Sequence, residues 1–237
     1  MVDALPVEIT SHGIRKYTFK VEGKEDGQAY FAEAGRTSEN AIILIQEWWG
    51  LNKSICDTAE VFGKEGFAVL AVDIYRGQVA DSRERAGHLM GGLDFGSAVF
   101  DIISAAKDLK GKGYKKVGIT GFCMGGALTL AAVANSDEFS AAVPFYGVPD
   151  LSKVPIANIK IPVLAHFGDK DEAKGFSDPE TAHKLEKVAK EAGINYTMHM
   201  WSAGHAFMNQ ANPHTYDAEI AKQALAESAE FFRKNFA

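Results

Sequence analysis

The chain alternates between short apolar runs rich in β-branched residues and longer stretches in which apolar residues recur with helical spacing. This alternation begins near Ala41 and continues to the end of the chain. It predicts an α/β fold with a mostly parallel sheet and helices on both faces. The predicted strands are Ala41–Gln46, Phe67–Val72, Lys116–Thr120, Ser140–Phe145, Ile161–Phe167 and Tyr196–Trp201. The predicted helices are Ser54–Glu65, Gly92–Leu109, Gly125–Ala134, Pro179–Ala192 and Tyr216–Phe236.

Two segments fall outside this alternation. Lys16–Val21 and Gln28–Ala34 flank the turn Glu-Gly-Lys-Glu-Asp-Gly, which predicts an antiparallel hairpin at one edge of the sheet. Arg76–Leu93 is polar and contains glycine, so we expect a loop or short helices that could form a lid. Because 237 residues suit one α/β unit and no repeat or linker interrupts them, we expect a single domain over residues 1–237.

Composition and charge exclude several classes of function. Charged residues make up 24% of the chain, which is typical of a soluble globular protein. A net charge of -6 and the lack of a basic run argue against nucleic-acid binding. The first ten residues do not resemble a secretory signal and no apolar run approaches membrane-spanning length, so we expect a cytoplasmic protein without a membrane partner. Cys56 and Cys123 are then expected to be free thiols.

The strongest chemical signal is the sequence Gly-Phe-Cys-Met-Gly, Gly121 to Gly125, between a predicted strand and a predicted helix. Many hydrolases place a nucleophile on such a strand-turn-helix elbow, with small neighbours that tolerate its strained backbone. At the start of a helix, Cys123 would also meet a dipole that favours the thiolate. The alternative is a buried structural cysteine, since free cysteine is among the most buried residue types.

Candidate partners for Cys123 follow two later strands in the order that this architecture requires. Gly168-Asp-Lys-Asp171 follows one strand, and Gly204-His205 follows the next. We expect His205 to be the general base and Asp171 to orient its imidazole, with Asp169 as the alternative acid. The remaining histidines lack such a setting and are interpreted as surface or packing residues: His12, His88, His166, His183, His199 and His214.

The segment Gln46-Glu-Trp-Trp-Gly, directly after the first core strand, is the fourth component. This position supplies one oxyanion N–H in the architecture, so we expect the backbone amides of Trp48 and Met124 to be the two donors. Glu47 is unusual there. It either points to solvent, as carboxylates at strand ends commonly do, or contacts the Cys123 sulfur and controls its proton.

Taken together, these motifs resemble the dienelactone hydrolase family of the α/β-hydrolase fold. The matching segments, in family order, are Gln-Glu-Trp-Trp-Gly-Leu-Asn, Val-Asp-Ile-Tyr, Gly-Phe-Cys-Met-Gly-Gly-Ala, Phe-Tyr-Gly-Val, Gly-Asp-Lys-Asp and Ala-Gly-His-Ala-Phe. The resemblance implies a triad of Cys123, His205 and Asp171, with Glu47 releasing the thiol proton when substrate displaces it. It further implies lactone hydrolysis of the dienelactone-to-maleylacetate type through an acyl-cysteine, without a metal or organic cofactor.

The substrate pocket departs from the family pattern. Bacterial members resemble one another in holding the substrate carboxylate with two arginines. Arg76 is positioned for the first, but the second position is Asn209, and an amide cannot replace a bidentate guanidinium at equal strength. Trp48, Trp49 and Tyr75 would add aromatic surface for an apolar or planar substrate, and the alternative is that they belong to the core, where such residues lie just as often. The basic residues that could replace the missing arginine are Arg83, Arg85 and Lys174.

We therefore expect a hydrolase of small lactones or esters that acts as a monomer or weak homodimer. The competing hypothesis is a binding or sensing protein that uses Cys123 as a redox-reactive thiol. The settings of His205 and Asp171 argue against it, because a redox cysteine needs no such relay. A peptidase or a lipase for large substrates is a third hypothesis without support. The sequence contains neither the long apolar lid segment nor the insertion that would enlarge the pocket for such substrates.

Overall fold

The computed structural model describes residues 8–9, 15–33 and 38–237. The chain divides into two compact units, residues 1–118 and 119–237. The expectation of a single domain stays a prediction. His12 and the predicted strand end at Ala34 lie outside the described residues.

The first unit contains an antiparallel hairpin beside a parallel pair of strands. Its strand order is β1-β2-β3-β5-β4. β1, β2, β3 and β5 are joined by antiparallel pairings, whereas β4 and β5 are parallel. The strands are β1 Glu8–Ile9, β2 Arg15–Phe19, β3 Gly27–Ala32, β4 Asn40–Ile45 and β5 Ala68–Val72. The helices are α1 Lys53–Lys64, α2 Arg83–Gly91 and α3 Phe95–Gly111.

The second unit alternates strands and helices to the end of the chain. Strand β6, Lys116–Phe122, contains the boundary between the units and leads directly into helix α4, Met124–Ala134. The strands that follow, β7 to β9, pair in parallel in the order β7-β8-β9. The remaining elements are β7 Ala141–Phe145, a 3₁₀ turn Ile156–Asn158, β8 Val163–Gly168, α5 Pro179–Glu191, β9 Tyr196–Trp201 and α6 Ala218–Phe236.

Burial explains why these strands read as continuous apolar runs. Every residue of β5, β7 and β8 is buried. Successive side chains point to opposite faces of a sheet, so both faces are covered. Helices α1 and α3 pack on the strands of the first unit, and α4, α5 and α6 on those of the second. The predicted α/β class, with helices on both faces and an N-terminal hairpin, is confirmed.

Most helices begin at a side-chain cap, which satisfies backbone N–H groups that lack a partner in the first turn. The caps are Asn52 for α1, Ser82 for α2, Asp94 for α3, Asp178 for α5 and Asp217 for α6. Helix α4 differs because Cys123 occupies its cap position and makes no side-chain cap hydrogen bond. The sequence signal for a helix start is thus missing at the one helix that follows the predicted nucleophile.

The differences from the predicted elements are local. Helix α2, Arg83–Gly91, agrees with the short-helix alternative expected for Arg76–Leu93. Helix α3 begins at Phe95 rather than Gly92 because Asp94 caps it. Strand β6 extends two residues beyond the predicted Thr120, to the edge of the cysteine elbow. The short strand β1 was not predicted, since two residues carry no periodicity.

Candidate active site

Cys123 lies on a sharp turn between strand β6 and helix α4. Its φ of 55° and ψ of -116° are unusual for a residue with a side chain, and its N–H donates to the Phe145 carbonyl at 3.1 Å. The elbow is crowded, since a Cβ atom at Gly126 would lie 2.3 Å from the Phe145 oxygen. A Cβ at Gly147 would lie 2.0 Å from the Cys123 oxygen. The elbow pattern explains Gly126, whereas Gly147 lies in the Phe-Tyr-Gly-Val segment after another strand, to which the sequence analysis gave no role.

The structure brings His205 between Cys123 and Asp171. Its Nε2 lies 3.2 Å from the Cys123 Sγ, and its Nδ1 lies 2.8 Å from the Asp171 Oδ2. Asp171 is buried, and its Oδ1 accepts the Ala173 N–H at 2.9 Å. The alternative acid, Asp169, has an exposed side chain and donates its backbone N–H to the Trp201 carbonyl. Of the two predicted acids, Asp171 is therefore the one in contact with the histidine.

Close approach of two loops creates this geometry. Asp171 follows β8 and His205 follows β9, and a Cβ at Gly168 would lie 2.3 Å from the Ala203 oxygen. The Lys170 N–H donates to the same Ala203 oxygen at 2.9 Å. The carboxyl ends of parallel strands meet at one edge of a sheet, where sites of open α/β folds form. Gly168, the last residue of β8, thus allows the acid loop to approach the base loop.

The electrostatics of the pair favour a carboxylate beside a protonated imidazole. Burial acts to raise the pKa of Asp171, but hydrogen bonds from His205, Ala173 and Ser177, with the histidine charge, hold it below its usual range. Burial alone would lower the pKa of His205. The carboxylate of Asp171 and the Cys123 sulfur outweigh this and raise it. The site can therefore hold a proton on His205 beside the negatively charged Asp171 carboxylate.

Three further residues surround the imidazole of His205. The Oγ of Ser177 lies 3.0 Å from Nδ1, and Ser177 is fully buried. The ring of Tyr146 meets the imidazole edge-on with centroids 5.1 Å apart, and Phe176 lies 6.1 Å away. Sequence reasoning missed Ser177 and Phe176, and it gave no role to Tyr146 within the Phe-Tyr-Gly-Val segment. Ser177 lies in an irregular stretch six positions past Asp171, where no periodic pattern marks it.

In the first unit, Glu47 is buried, with 5% of its surface exposed, so it does not face solvent as the alternative interpretation required. The next two residues, Trp48 and Trp49, are half-buried, and their rings make an edge-on contact at 5.3 Å. The Trp49 carbonyl accepts the Ala80 N–H at 2.8 Å. The Glu-Trp-Trp segment is therefore fixed to the chain that leads into helix α2.

The turn after β5 holds Arg76 in a different manner from that expected. Asp73 accepts the N–H groups of Tyr75 and Gly77, and Tyr75 is buried. The Arg76 guanidinium donates to the Asp101 Oδ2 at 2.5 Å and to the Asp26 carbonyl at 2.6 Å. Arg76 was predicted to bind a substrate carboxylate. Its ion pair with buried Asp101 would have to open before it could do so.

Asn209, at the position of the second family arginine, is buried in the loop after His205. Its Oδ1 accepts the Ala211 N–H at 2.9 Å, and its own N–H donates to the Ala206 carbonyl. Ala206 has a φ of 60°, so this loop contains strained backbone of its own. The residues considered as replacements for the arginine, Arg83, Arg85 and Lys174, all have exposed side chains.

One group in the described part of the chain has the composition of a metal site: His166, His199 and Glu227. The Nδ1 of His166 accepts the indole N–H of Trp201 at 3.0 Å. An indole only donates, so a neutral His166 carries its proton on Nε2, which faces the Ser228 Oγ at 3.3 Å. Neither nitrogen presents a lone pair to a metal, and the group is better explained as packing.

The other histidines lie at the surface or in the packing, as expected. His88, His183 and His214 are exposed, and His199 is half-buried. The two cysteines are free thiols, which confirms that prediction. Within the described ranges, a single helix long and apolar enough to span a membrane is not found; α2 and α3 meet the length and composition test only as a pair bent by 85°.

Fold and site together define the chain as an α/β hydrolase. The model of the dienelactone hydrolase family matches residues 28–236. The chain therefore belongs to the dienelactone hydrolase family and is a hydrolase of ester or lactone bonds.

Two relatives and one solved structure illustrate the similarity. Protein usf of Aquifex pyrophilus is 33% identical over 204 residues, which cover 81% of this chain and 87% of that protein. The carboxymethylenebutenolidase of Pseudomonas putida is 31% identical over 200 residues, which cover 77% of this chain and 82% of that protein. A dienelactone hydrolase-like promiscuous phosphotriesterase from metagenomic libraries has a similar fold, with a TM-score of 0.79 at 21% identity over 93% of this chain and 97% of that one.

Proposed function

We propose that the protein hydrolyses small lactones or esters through an acyl-cysteine, with Cys123 as nucleophile, His205 as general base and acid, and Asp171 as the residue that orients it. The observation that carries this proposal is the position of His205. Its two ring nitrogens lie 3.2 Å from a sulfur and 2.8 Å from a carboxylate oxygen. A base that contacts both a nucleophile and an orienting acid is the signature of nucleophilic catalysis.

During acylation the proton of the Cys123 thiol is transferred twice, first to His205 and then to the leaving group. His205 Nε2 takes the proton from Cys123, and the thiolate attacks the substrate carbonyl carbon to form a tetrahedral oxyanion. We assign the oxyanion donors to the backbone N–H groups of Met124 and Trp48, because Met124 begins helix α4 directly after the nucleophile. When the intermediate collapses, the carbon–oxygen bond breaks and the leaving alkoxide takes the proton back from His205.

Deacylation returns the enzyme to its starting state. His205 removes a proton from water, and the resulting hydroxide attacks the thioester carbonyl. The carbon–sulfur bond breaks, the Cys123 sulfur takes the proton back from His205, and the carboxylic product leaves. For a lactone, acid and alcohol are parts of one molecule. Because the step depends on a well-positioned water, strained or activated substrates are the best candidates.

Glu47 is assigned the control of the thiol proton before substrate arrives. The support is its burial, with 5% exposure, and its position directly after β4. Buried carboxylates and thiols tune one another's ionisation, which is the chemistry that this role requires. The Glu47→Gln variant should change the pH dependence of turnover. An unchanged profile would assign Glu47 to packing.

An uncharged lactone or ester suits the site better than a substrate that carries a carboxylate. Arg76 is paired with Asp101 at 2.5 Å, and Asn209 uses its side-chain oxygen within its own loop. The aromatic residues Trp49 and Tyr75 would supply apolar surface. We further place the reaction in the cytoplasm, where both cysteines stay reduced, in a monomer or weak homodimer that uses no metal or organic cofactor.

The test compares turnover of dienelactone and of an uncharged aryl acetate by the wild type, Cys123→Ala and Cys56→Ala. Cys56 is a half-buried thiol in helix α1, so its variant is the matched control. We expect Cys123→Ala to abolish turnover and Cys56→Ala to retain it. Aryl acetate activity without dienelactone activity would support the uncharged substrate class. Turnover that persists in Cys123→Ala would overturn the mechanism. Reversible oxidation of Cys123 without any turnover would favour the thiol-sensing alternative.

A further inference from the structure

We propose that Ser177 is a positioning residue of the catalytic site. In the proposed arrangement its hydroxyl donates to the Asp171 carboxylate while its oxygen faces Nδ1–H of His205 at 3.0 Å, so it fixes the tautomer that leaves Nε2 directed at Cys123. This inference rests on the proposed function and adds a fourth member to the Cys123, His205 and Asp171 relay.

One short loop holds the carboxylate from two sides. Ser177 is fully buried, and its Oγ lies 3.0 Å from His205 Nδ1, which itself lies 2.8 Å from Asp171 Oδ2. The backbone of Ser177 is tied to the same loop, since its N–H donates to the Ala173 carbonyl at 3.0 Å. The Ala173 N–H in turn donates to Asp171 Oδ1 at 2.9 Å. The loop thus positions the hydroxyl and the carboxylate as one unit in front of the imidazole.

The donor and acceptor inventory leaves one consistent assignment of protons. An ionised carboxylate only accepts, so His205 Nδ1 carries its proton and donates it to Asp171. Nδ1 then cannot accept from Ser177. The serine proton is therefore directed at the carboxylate, and its lone pairs face the imidazole N–H. With both protons used in this way, rotation of the imidazole or of the carboxylate would break two contacts instead of one.

This assignment has two electrostatic consequences. A hydroxyl that donates to a carboxylate stabilises its ionised form, and Ser177 is among the groups that lower the pKa of Asp171. Without the hydroxyl, the carboxylate would hold the imidazolium proton more tightly, but the same proton would lose the Ser177 lone pairs that face it at 3.0 Å. The direct and the indirect effect oppose one another and differ in size, so the pH at which His205 loses that proton should change.

The experiment follows alkylation of the Cys123 thiol by iodoacetamide as a function of pH, with each cysteine measured separately by peptide mass spectrometry. The proteins are the wild type, Ser177→Ala, the rescue variant Ser177→Thr and the control Ser228→Ala. Ser228 is also fully buried, and its hydroxyl donates to the Ala224 carbonyl. Cys56 is the internal reference thiol in every sample. Turnover of an aryl acetate is measured in parallel.

We expect the alkaline step of Cys123 alkylation, which marks loss of the His205 proton, to move by roughly half a pH unit in Ser177→Ala. This is less than one hydrogen bond to a charged group would give, because the two effects oppose one another. Turnover should show kcat lowered about tenfold with little change in KM, because orientation and not substrate binding is lost. Ser177→Thr should restore the wild-type step, and Ser228→Ala should not move it.

An unchanged alkylation profile in Ser177→Ala would overturn the inference, even if the variant melted at a lower temperature. Failure of the proposed function gives a different result. If the wild type turned over no ester or lactone but Ser177→Ala still moved the Cys123 step, Ser177 would keep its role toward the imidazole while the substrate assignment failed.

Discussion

Two histidines in the second unit show how the partner of a ring nitrogen decides what a histidine does. His166 on strand β8 accepts the Trp201 indole N–H on Nδ1 and faces the Ser228 hydroxyl with Nε2. His205, after strand β9, contacts the Asp171 carboxylate through Nδ1 and the Cys123 sulfur through Nε2. Each ring has one serine hydroxyl beside it. The difference lies in the partner of Nδ1. The Trp201 indole beside His166 only donates, whereas the Asp171 carboxylate beside His205 only accepts.

Burial disfavours the charged form of both histidines, but the outcome is opposite. Burial and then the nearby His199 lower the pKa of His166 to about 3. For His205 the effect of burial is outweighed by the hydrogen bonds and negative charge of Asp171 and Cys123, so the pKa rises. An indole N–H fixes a neutral ring, whereas a carboxylate stabilises a proton on Nδ1 and leaves Nε2 for the nucleophile. Position near a strand end does not distinguish the two.

The largest expected effect comes from changing the acceptor at His205. Asp171→Asn replaces a carboxylate by an amide whose NH₂ group can donate to Nδ1, as Trp201 does to His166. The imidazole would then adopt the wrong tautomer, and turnover of an aryl acetate should fall by about 10⁴-fold, as for the equivalent change in serine proteases. The measurement is kcat/KM at neutral pH.

Asp169→Asn is the matched control, because Asp169 lies two residues away with an exposed side chain. It should retain activity within about threefold, since surface substitutions have small effects. If Asp171→Asn and Asp169→Asn lost activity equally, the acid would be misassigned. The contact with Asp171 would then not explain the catalytic role of His205.

The second prediction concerns the pH dependence of stability at His166. Its pKa is about 3 in the folded protein and 6.5 in the reference state, so the unfolded chain binds a proton that the folded chain does not. The contribution of His166 to stability is therefore full above about pH 6.5 and is lost as the pH falls toward 3. Between about pH 7 and pH 5 the loss amounts to about 2 kcal/mol.

His166→Asn tests this value because the amide oxygen can still accept the Trp201 N–H while the titrating ring is removed. The free energy of unfolding from urea titrations at both pH values should fall less in the variant than in the wild type. An equal fall in both would mean that His166 is not held neutral. His205 acts with the opposite sign, since its raised pKa contributes stability that is lost as the pH rises.

Sequence reasoning found the residues that a linear motif marks. The elbow around Cys123, the turn with Asp171 and the Gly-His205 pair each follow a strand whose apolar run is visible in the sequence. It did not find Ser177 and gave no role to Gly147, because both act across loops that meet only in the folded chain. Gly147 faces the Cys123 carbonyl, and Ser177 faces His205 from a loop without periodicity.

The direction of long side chains was the other feature that the sequence did not predict. The substrate-binding role of Arg76 was predicted from its place after Tyr75 in the chain. Residue order does not show where a long side chain points. The positive φ of 53° at Arg76 and the caps of Asp73 turn its guanidinium toward Asp101. Asp101 lies in helix α3, 25 residues further along the chain, and its sequence setting gives no sign of an ion pair.

The smallest expected effect comes from removing the serine hydroxyl that contacts His166. The same substitution at the serine beside His205 is the comparison. Ser228→Ala removes the hydroxyl 3.3 Å from His166 Nε2 and its hydrogen bond to the Ala224 carbonyl at 2.6 Å. The free energy of unfolding should fall by about 1 kcal/mol, the usual value for one neutral hydrogen bond. Ester turnover should not change, because His166 contacts neither the thiol nor the carboxylate pair. The same substitution at Ser177 should lower kcat, since that hydroxyl acts on a ring that transfers a proton. If Ser228→Ala lowered kcat as much as Ser177→Ala at a similar cost in stability, both serines would act through packing, and the partner of the ring nitrogen would not be what separates the two histidines.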